Sequence, residues 1–301
     1  MRIAVAASPQ AAIASLIALK AGPHELVRVI SQPDRPAGRG RSLIATPVSQ
    51  WALDNEIELA RPEKADQLGA CVSDVDCVIT IGYGLLIPEP ILAIPQYGFL
   101  NVHFSILPRW RGAAPVQRAI EAGDSYSGIT IFRLDAGMDT GPYYVMKRFA
   151  LDADITSDEL LEELAEIAPD ALLETLSIIE SGTKPTPQSE KDATRAYKLT
   201  REEAHIDCSR SADEVSAKIR AFTSNPGAWI TFRGSVLKIT FDSISTISIN
   251  PGELRNHEGK LLLGTTTNAI VIATVTSSGK AALPASAWLN GARLIDGERC
   301  E

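Results

Sequence analysis

The chain has 301 residues, 45% of them hydrophobic and 22% charged, with a formal net charge of −8. That length suits two domains, each large enough to bury its own core; no apolar stretch approaches the ~20 residues that cross a bilayer, so the composition points to a soluble protein and excludes a membrane-spanning one. Cys71, Cys77, Cys208 and Cys300 form no CxxC pair, which argues against a zinc or other metal site and for the reduced thiols of a cytoplasmic protein.

In chain order, Ile3-Ala4-Val5-Ala6 reads as a first strand and residues 11–20 as a helix with Ile13, Leu16 and Ile17 on one face. Ser8-Pro9-Gln10 interrupts the apolar run, so the start is strand, turn and helix and not a targeting segment. Residues 25–30 are a second strand, and residues 47–55 a helix carrying Val48, Trp51 and Ala52 at helical spacing. Residues 76–81 are continuously apolar, as in a strand buried on both faces of a parallel sheet. Residues 99–103 form the next strand, residues 113–122 a helix, and residues 128–134 and 143–150 two later strands. Thr156-Ser157-Asp158-Glu159 is a capping box opening a long helix with Leu160, Leu164, Ile167, Leu172 and Ile179 inward, which Pro169 should kink or break. Residues 185–204 are polar and proline-containing, a linker. Beyond them a helix with Val215, Ile219 and Phe222 inward precedes short β segments at 228–232, 236–241, 260–263 and 269–275, the pattern of a small barrel of the oligonucleotide-binding kind. The expected architecture is α/β: a Rossmann-like domain over 1–184, the linker, and a barrel-like domain over 205–301.

The chemistry concentrates in Asn101-Val102-His103-Phe104-Ser105-Ile106-Leu107-Pro108-Arg109-Trp110-Arg111-Gly112. Strand side chains alternate faces, so Asn101 and His103 project to the same side. A carboxylate follows in Asp135-Ala136-Gly137-Met138-Asp139-Thr140-Gly141. Amide, imidazole and carboxylate in one cleft can stabilise and protonate an oxyanion at a carbonyl carbon, which points to an acyl-group transferase. A lone asparagine or histidine is more often a turn residue or a satisfied structural group, but ligands of open α/β sheets bind outside the carboxyl ends of the strands, where these two lie. Asp139-Thr140-Gly141 also matches an aspartic-protease signature, which the single copy and the α/β context exclude.

Charge is unevenly spread. Residues 1–184 carry 15 basic and 24 acidic side chains and residues 205–301 carry ten basic against nine acidic. Ten carboxylates fall within 152–180 without a Lys or Arg, the solvated outer face of the leucine-patterned helix. Arg35, Arg39 and Arg41 alternate with Pro36, Gly38 and Gly40, by themselves a solvated basic loop. Because salt screens exposed charges beyond about 8 Å, a local basic patch meets phosphate despite the net charge; Arg220, Arg233, Lys238 and Lys280 are candidates for such a face in the C-terminal part.

These segments together are similar to the methionyl-tRNA formyltransferase family: Gln32 to Arg41, Gly82-Tyr83-Gly84, Asn101 to Pro115, Asp135 to Gly141, Tyr197-Lys198-Leu199-Thr200-Arg201-Glu202-Glu203-Ala204 and Ile219-Arg220-Ala221-Phe222, in that order. The resemblance implies a formyltransferase domain at the N-terminus and a tRNA-binding domain at the C-terminus. It implies transfer of the formyl group of 10-formyltetrahydrofolate, the co-substrate, to the free amine of methionyl initiator tRNA through a tetrahedral oxyanion intermediate, by a cytoplasmic monomer of translation initiation. It makes Asn101, His103 and Asp139 catalytic, with Asp139 favouring the protonated form of His103. It makes Ser105, Ile106, Leu107 and Pro108 folate-binding, and places Arg39, supported by Arg35 and Arg41, on the acceptor arm of the tRNA. The chain departs from the family pattern at Phe104 in place of glycine, at Ala6-Ala7-Ser8-Pro9, at Cys208 in place of tryptophan and at Thr223-Ser224-Asn225-Pro226. A formyltransferase acting on a small amine or a formylfolate hydrolase would use similar catalytic groups, and a non-catalytic RNA-binding protein could use the same fold. The arginine loop and the β-rich C-terminal part weigh against the first two, and the intact Asn101, His103 and Asp139 against the third.

Overall fold

The computed structural model describes residues 1–37 and 42–301. By contact the chain divides into two compact units, the first made of residues 1–112, 127–150 and 161–195 and the second of 113–126, 151–160 and 196–301.

The first unit is built on a seven-stranded sheet in the order Tyr143–Ala150, Tyr126–Arg133, Phe99–His103, Cys77–Ile81, Arg2–Ala7, Glu25–Ile30, Glu58–Ala60. From Phe99–His103 to Glu58–Ala60 the strands are parallel; Tyr126–Arg133 runs antiparallel to Phe99–His103. The parallel strands read as continuous apolar runs because both sheet faces are covered: every residue of Cys77–Ile81 is buried, and so are Ile3 to Ala7. Strand order reverses at Arg2–Ala7, which is flanked by Glu25–Ile30 on one side and Cys77–Ile81 on the other, the Rossmann-like arrangement. Helix Ser157–Glu180 buries Leu160, Leu164, Ala168, Leu172, Leu176 and Ile179, while Glu162, Glu163, Glu166, Asp170 and Glu174 are exposed. Its capping box is formed, with Thr156 N donating to Glu159 Oε2 at 2.9 Å and Glu159 N to Thr156 Oγ1 at 3.3 Å. Contrary to the break expected at Pro169, the helix runs on through it: the buried apolar stripe on both sides of the proline outweighs one lost backbone hydrogen bond.

Two short elements escape the sequence pattern. Arg35–Ala37 and Ser42–Ile44 pair antiparallel, which puts Arg35 on a short strand; residues 38–41 lie outside the described residues. Residues 185–195, expected as linker, belong to the first unit, where Thr186 and Tyr143 exchange backbone hydrogen bonds at 2.8 Å.

The second unit carries an antiparallel sheet in the order Trp229–Phe232, Ser235–Ile244, Ile270–Ser277, Lys260–Leu263, Leu254–His257. Its two outer strands are tied together through the chain end. Thr231 and Glu301 exchange backbone hydrogen bonds on one side, while Cys300 N donates to Gly252 O and Leu254 N to Glu298 O on the other. Closure of this kind removes open sheet edges and gives the barrel-like form. It also brings Cys208 Sγ within 3.8 Å of Cys300 Sγ. Helix Ala212–Ala221 begins with a second capping box, Ser211 with Glu214, and buries Val215, Ile219 and the following Phe222.

Gly128 sits inside strand Tyr126–Arg133 with φ +155°, where a Cβ would collide with the Lys147 carbonyl and the Ile106 side chain. Gly128→Ala should therefore lower the midpoint of urea denaturation, at a cost of about 1–3 kcal/mol.

Candidate active site

Pairing on both sides fixes strand Phe99–His103. Thr80 stands beside Asn101 in the parallel neighbour, and Phe132 and Thr130 stand opposite Asn101 and His103 in the antiparallel one. Asn101 and His103 therefore share one face at the carboxyl end of the sheet. The buried Thr130 hydroxyl donates to Ser105 O at 2.7 Å and accepts from Leu107 N at 3.0 Å, which turns the chain immediately after His103. Ser105 Oγ donates to Arg109 O at 2.7 Å and closes the turn.

His103 is 6% exposed. Its Nε2 lies 2.9 Å from Trp110 O; a carbonyl only accepts, so Nε2 carries the proton, and in the neutral ring Nδ1 offers its lone pair. Asp139 Oδ2 is 3.8 Å from Nδ1 and is itself held by Gly112 N, which donates to it at 2.7 Å. Burial pulls the His103 pKa below its ordinary 6.5, against the smaller opposing influences of the Asp139 charge and the Trp110 carbonyl. The Asp139 charge favours the imidazolium, as expected, but burial outweighs it. The carboxylate stands where it would stabilise a proton arriving at Nδ1. The Asn101 amide is half-buried and makes no hydrogen bond among the described residues, which leaves its N–H groups free to donate.

Two residues of this site have left-handed backbone without being glycine: Trp110 at φ 66° and Asp139 at φ 55°. Such a conformation costs an L-residue about 1–2 kcal/mol and persists only where surrounding bonds over-determine it. They do so here. Trp110 N donates to Thr194 Oγ1 at 2.9 Å, Arg111 N to Thr194 O at 2.9 Å, and Gln188 Nε2 to Asp139 O at 2.9 Å and Gly141 O at 2.7 Å.

The structure thus brings His103 and Asp139 together and sets Asn101 on the same strand face. Of the residues expected for folate, Ser105 and Leu107 are buried and committed to internal hydrogen bonds, and Ile106 and Pro108 keep partly open apolar surface. Arg35 is exposed and donates to Gln32 Oε1 at 2.8 Å, while Arg39 and Arg41 lie outside the described residues. The basic face expected in the C-terminal part is reduced. Arg220 points inward, donating to Ile155 O at 3.0 Å, with burial lowering its pKa; Arg233 is paired with Glu298. Sequence reasoning missed Arg111, Gln188, Glu190 and Thr194. The last three sit in a polar, proline-containing stretch with no periodicity, where only a fold could give them a partner.

A family model described as "Formyl transferase" matches residues 1–176, and one described as "Formyl transferase, C-terminal domain" matches residues 198–293. Over 307 aligned residues the chain is 39% identical to the methionyl-tRNA formyltransferase of Thermobifida fusca, with 99% of each chain covered. Among solved structures it resembles HypX from Aquifex aeolicus in complex with tetrahydrofolic acid, at a TM-score of 0.69 and 20% identity over 96% of this chain and 47% of that one. It also resembles a methionyl-tRNA formyltransferase from Clostridium thermocellum, at a TM-score of 0.59 and 16% identity over 90% and 98%. At those identities the two structures speak for the fold alone.

The His103 ring should titrate below pH 6.5 in an NMR series, and Asp139→Asn should lower its midpoint further, since a neutral amide no longer favours the imidazolium. A midpoint at or above 6.5 would show that burial is not the dominant influence on this ring.

Proposed function

Because the chain belongs to the methionyl-tRNA formyltransferase family, it transfers the formyl group of 10-formyltetrahydrofolate to the free amine of methionyl initiator tRNA, and we propose that Asn101, His103 and Asp139 perform that transfer. The observation that carries the assignment is the buried His103 ring, with Nε2 committed to Trp110 O and Nδ1 turned toward Asp139.

The attacking amine needs little activation: an α-amino group has a pKa of about 7.7–8.0, so a sizeable fraction is neutral near pH 7. As the nitrogen–carbon bond forms, the formyl oxygen takes up negative charge, and Asn101 donates a hydrogen bond to it. His103 Nδ1 takes the proton released by the attacking nitrogen, and the resulting imidazolium is stabilised by Asp139. The same ring then gives that proton to the departing folate nitrogen as its bond to the formyl carbon breaks, leaving tetrahydrofolate and formylmethionyl-tRNA. His103 ends neutral, as it began. A ring with a depressed pKa suits this double role, because it starts as a base and becomes a strong acid once charged.

Ile106 and Pro108 offer partly open apolar surface for the folate, and Ser105 and Leu107 set the backbone that presents them. Arg39 meets the tRNA acceptor arm, with Arg35 and Arg41 on neighbouring phosphates. In the C-terminal part, exposed Tyr197, Lys198 and Arg201 combine an aromatic face with positive charge, a pairing suited to RNA. The first unit thus carries the transfer chemistry, and the second, from residue 196 on, holds RNA. One copy holds all three catalytic groups, in keeping with a cytoplasmic monomer; no helix among the described residues is long and apolar enough to cross a membrane.

The test is transfer of labelled formyl from 10-formyltetrahydrofolate to methionyl initiator tRNA, with uncharged tRNA as control. Asn101→Ala, His103→Ala and Asp139→Ala should each lower kcat by roughly 10²–10³ while leaving folding and tRNA affinity nearly unchanged. Arg39→Ala should raise KM for the tRNA and leave folate binding intact. Near-normal turnover in the Asn101 or His103 variant would remove them from the mechanism.

A further inference from the structure

Asp139 serves His103 only if its loop holds still, and the loop has two features that work against this. Asp139 itself has a left-handed backbone at φ 55°. The carboxylate also stands 3.8 Å from the imidazole, a separation at which a small drift changes the interaction. The loop is anchored at both ends by backbone bonds, Leu134 N to Phe99 O at 2.8 Å and Arg133 N to Pro142 O at 2.9 Å. At its near end Asp135 Oδ1 accepts from Gly137 N at 3.0 Å and Thr140 Oγ1 at 2.7 Å. Beyond those bonds and the one from Gly112 N to the Asp139 carboxylate, the backbone around Asp139 is held from far along the chain by the side chain of Gln188. The Gln188 Nε2 donates to the carbonyls of both Asp139 and Gly141, and so holds the backbone that leaves the strained residue.

Gln188 is itself held in one orientation. Its Oε1 accepts from Arg111 Nε at 3.1 Å and from Nη2 at 2.9 Å. The guanidinium has no acceptor, so the amide cannot flip without setting its NH₂ against the arginine and its oxygen against two carbonyls. Arg111 is only 6% exposed and its remaining donors are taken by Glu190, with Nη1 to Oε2 at 3.1 Å and Nη2 to Oε1 at 3.0 Å. That bidentate pair supplies the counter-charge an enclosed guanidinium requires, and the arginine in turn holds the Glu190 carboxyl below its usual pKa. Arg111 lies beside Gly112, whose N–H holds the Asp139 carboxylate. Glu190, Arg111 and Gln188 thus form one chain of charge-assisted hydrogen bonds ending on the Asp139 backbone.

We propose that Gln188 is a positioning residue for formyl transfer: locked by Arg111 and Glu190, it holds the loop that presents Asp139 to His103. This rests on the catalytic assignment of His103 and Asp139. It gives residues 185–195 a part in the chemistry and moves the C-terminal limit of the catalytic core beyond residue 184.

The test uses the full chain. Gln188→Glu keeps volume and the Arg111 partner but sets an acceptor against the two carbonyls, and Gln188→Ala removes the donor. Each should lower kcat at least tenfold, since misplacement on the ångström scale costs up to about 10²-fold. KM for both substrates should stay within about threefold, because the network lies behind the Asp139 backbone. A merely structural role would not move the ring titration. The His103 NMR midpoint, read only from folded molecules, should shift down in Gln188→Ala, the direction expected for Asp139→Asn. If kcat stays within twofold of native in both Gln188 variants while Asp139→Ala is impaired, the positioning role is wrong and the catalytic assignment stands. If kcat falls but the His103 midpoint matches the native one, Gln188 acts by some other route and the proposal is again overturned. If Asp139→Ala and His103→Ala turn over normally, the catalytic assignment fails and the positioning role falls with it.

Discussion

The hydrogen bond from His103 Nε2 to Trp110 O, made by a ring almost withdrawn from solvent, sets the geometry of the rest of the site. It fixes the tautomer, and so decides that Nδ1 is the nitrogen facing Asp139. It requires the chain to double back within seven residues of His103, which the buried Thr130 hydroxyl and the Ser105 hydroxyl make possible. Its acceptor, Trp110, has a left-handed backbone and is held in turn by Thr194. Burial acts in the same place: an imidazole withdrawn from water resists protonation, which is the property the proposed base and acid roles of His103 call for.

The parallel sheet explains why such a site stands where it does. Strands buried on both faces have no freedom of register, so the end of Phe99–His103 is among the stiffest points of the first unit. A site of this kind needs groups held to fractions of an ångström, and the loop bearing Asp139 adds to its own internal bonds side chains brought from far along the sequence. Arg111, Gln188, Glu190 and Thr194 share that task, and two of them reach the two strained residues directly. Backbone strain and the bonds that restrain it therefore sit together, as expected where geometry has been selected over local stability.

Charge is handled differently in the two units. The carboxylates of helix Ser157–Glu180 face outward, where they are hydrated and leave the interior unaffected. In the second unit several cations are committed to the protein itself, Arg220 to a backbone carbonyl, Arg233 to Glu298 and Arg255 to the buried Glu253. Counting basic residues thus overstates the positive surface of that unit. The closing of its sheet by residues 298–301 is likewise a structural use of a chain end that composition alone would leave as a tail.

Much of the fold was legible because it rests on local patterns. Continuous apolar runs marked the central strands, leucine spacing marked helix Ser157–Glu180, the Thr156 to Glu159 box marked its start, and the alternation of a strand put Asn101 and His103 on one side. Strand Leu254–His257 escaped because only its first residue is buried, and strand Arg35–Ala37 because proline and arginine give no period. The amino-acid sequence by itself determined which residues are the candidates for the chemistry and roughly which faces they occupy, since periodicity and residue type are properties of neighbours in the chain. Only the tertiary structure decided the burial and tautomer of His103, the inward turn of Arg220 and the partnership of Gln188 with Asp139. Desolvation and hydrogen bonding depend on atoms that are close in space and distant in sequence, and no pattern along the chain encodes them.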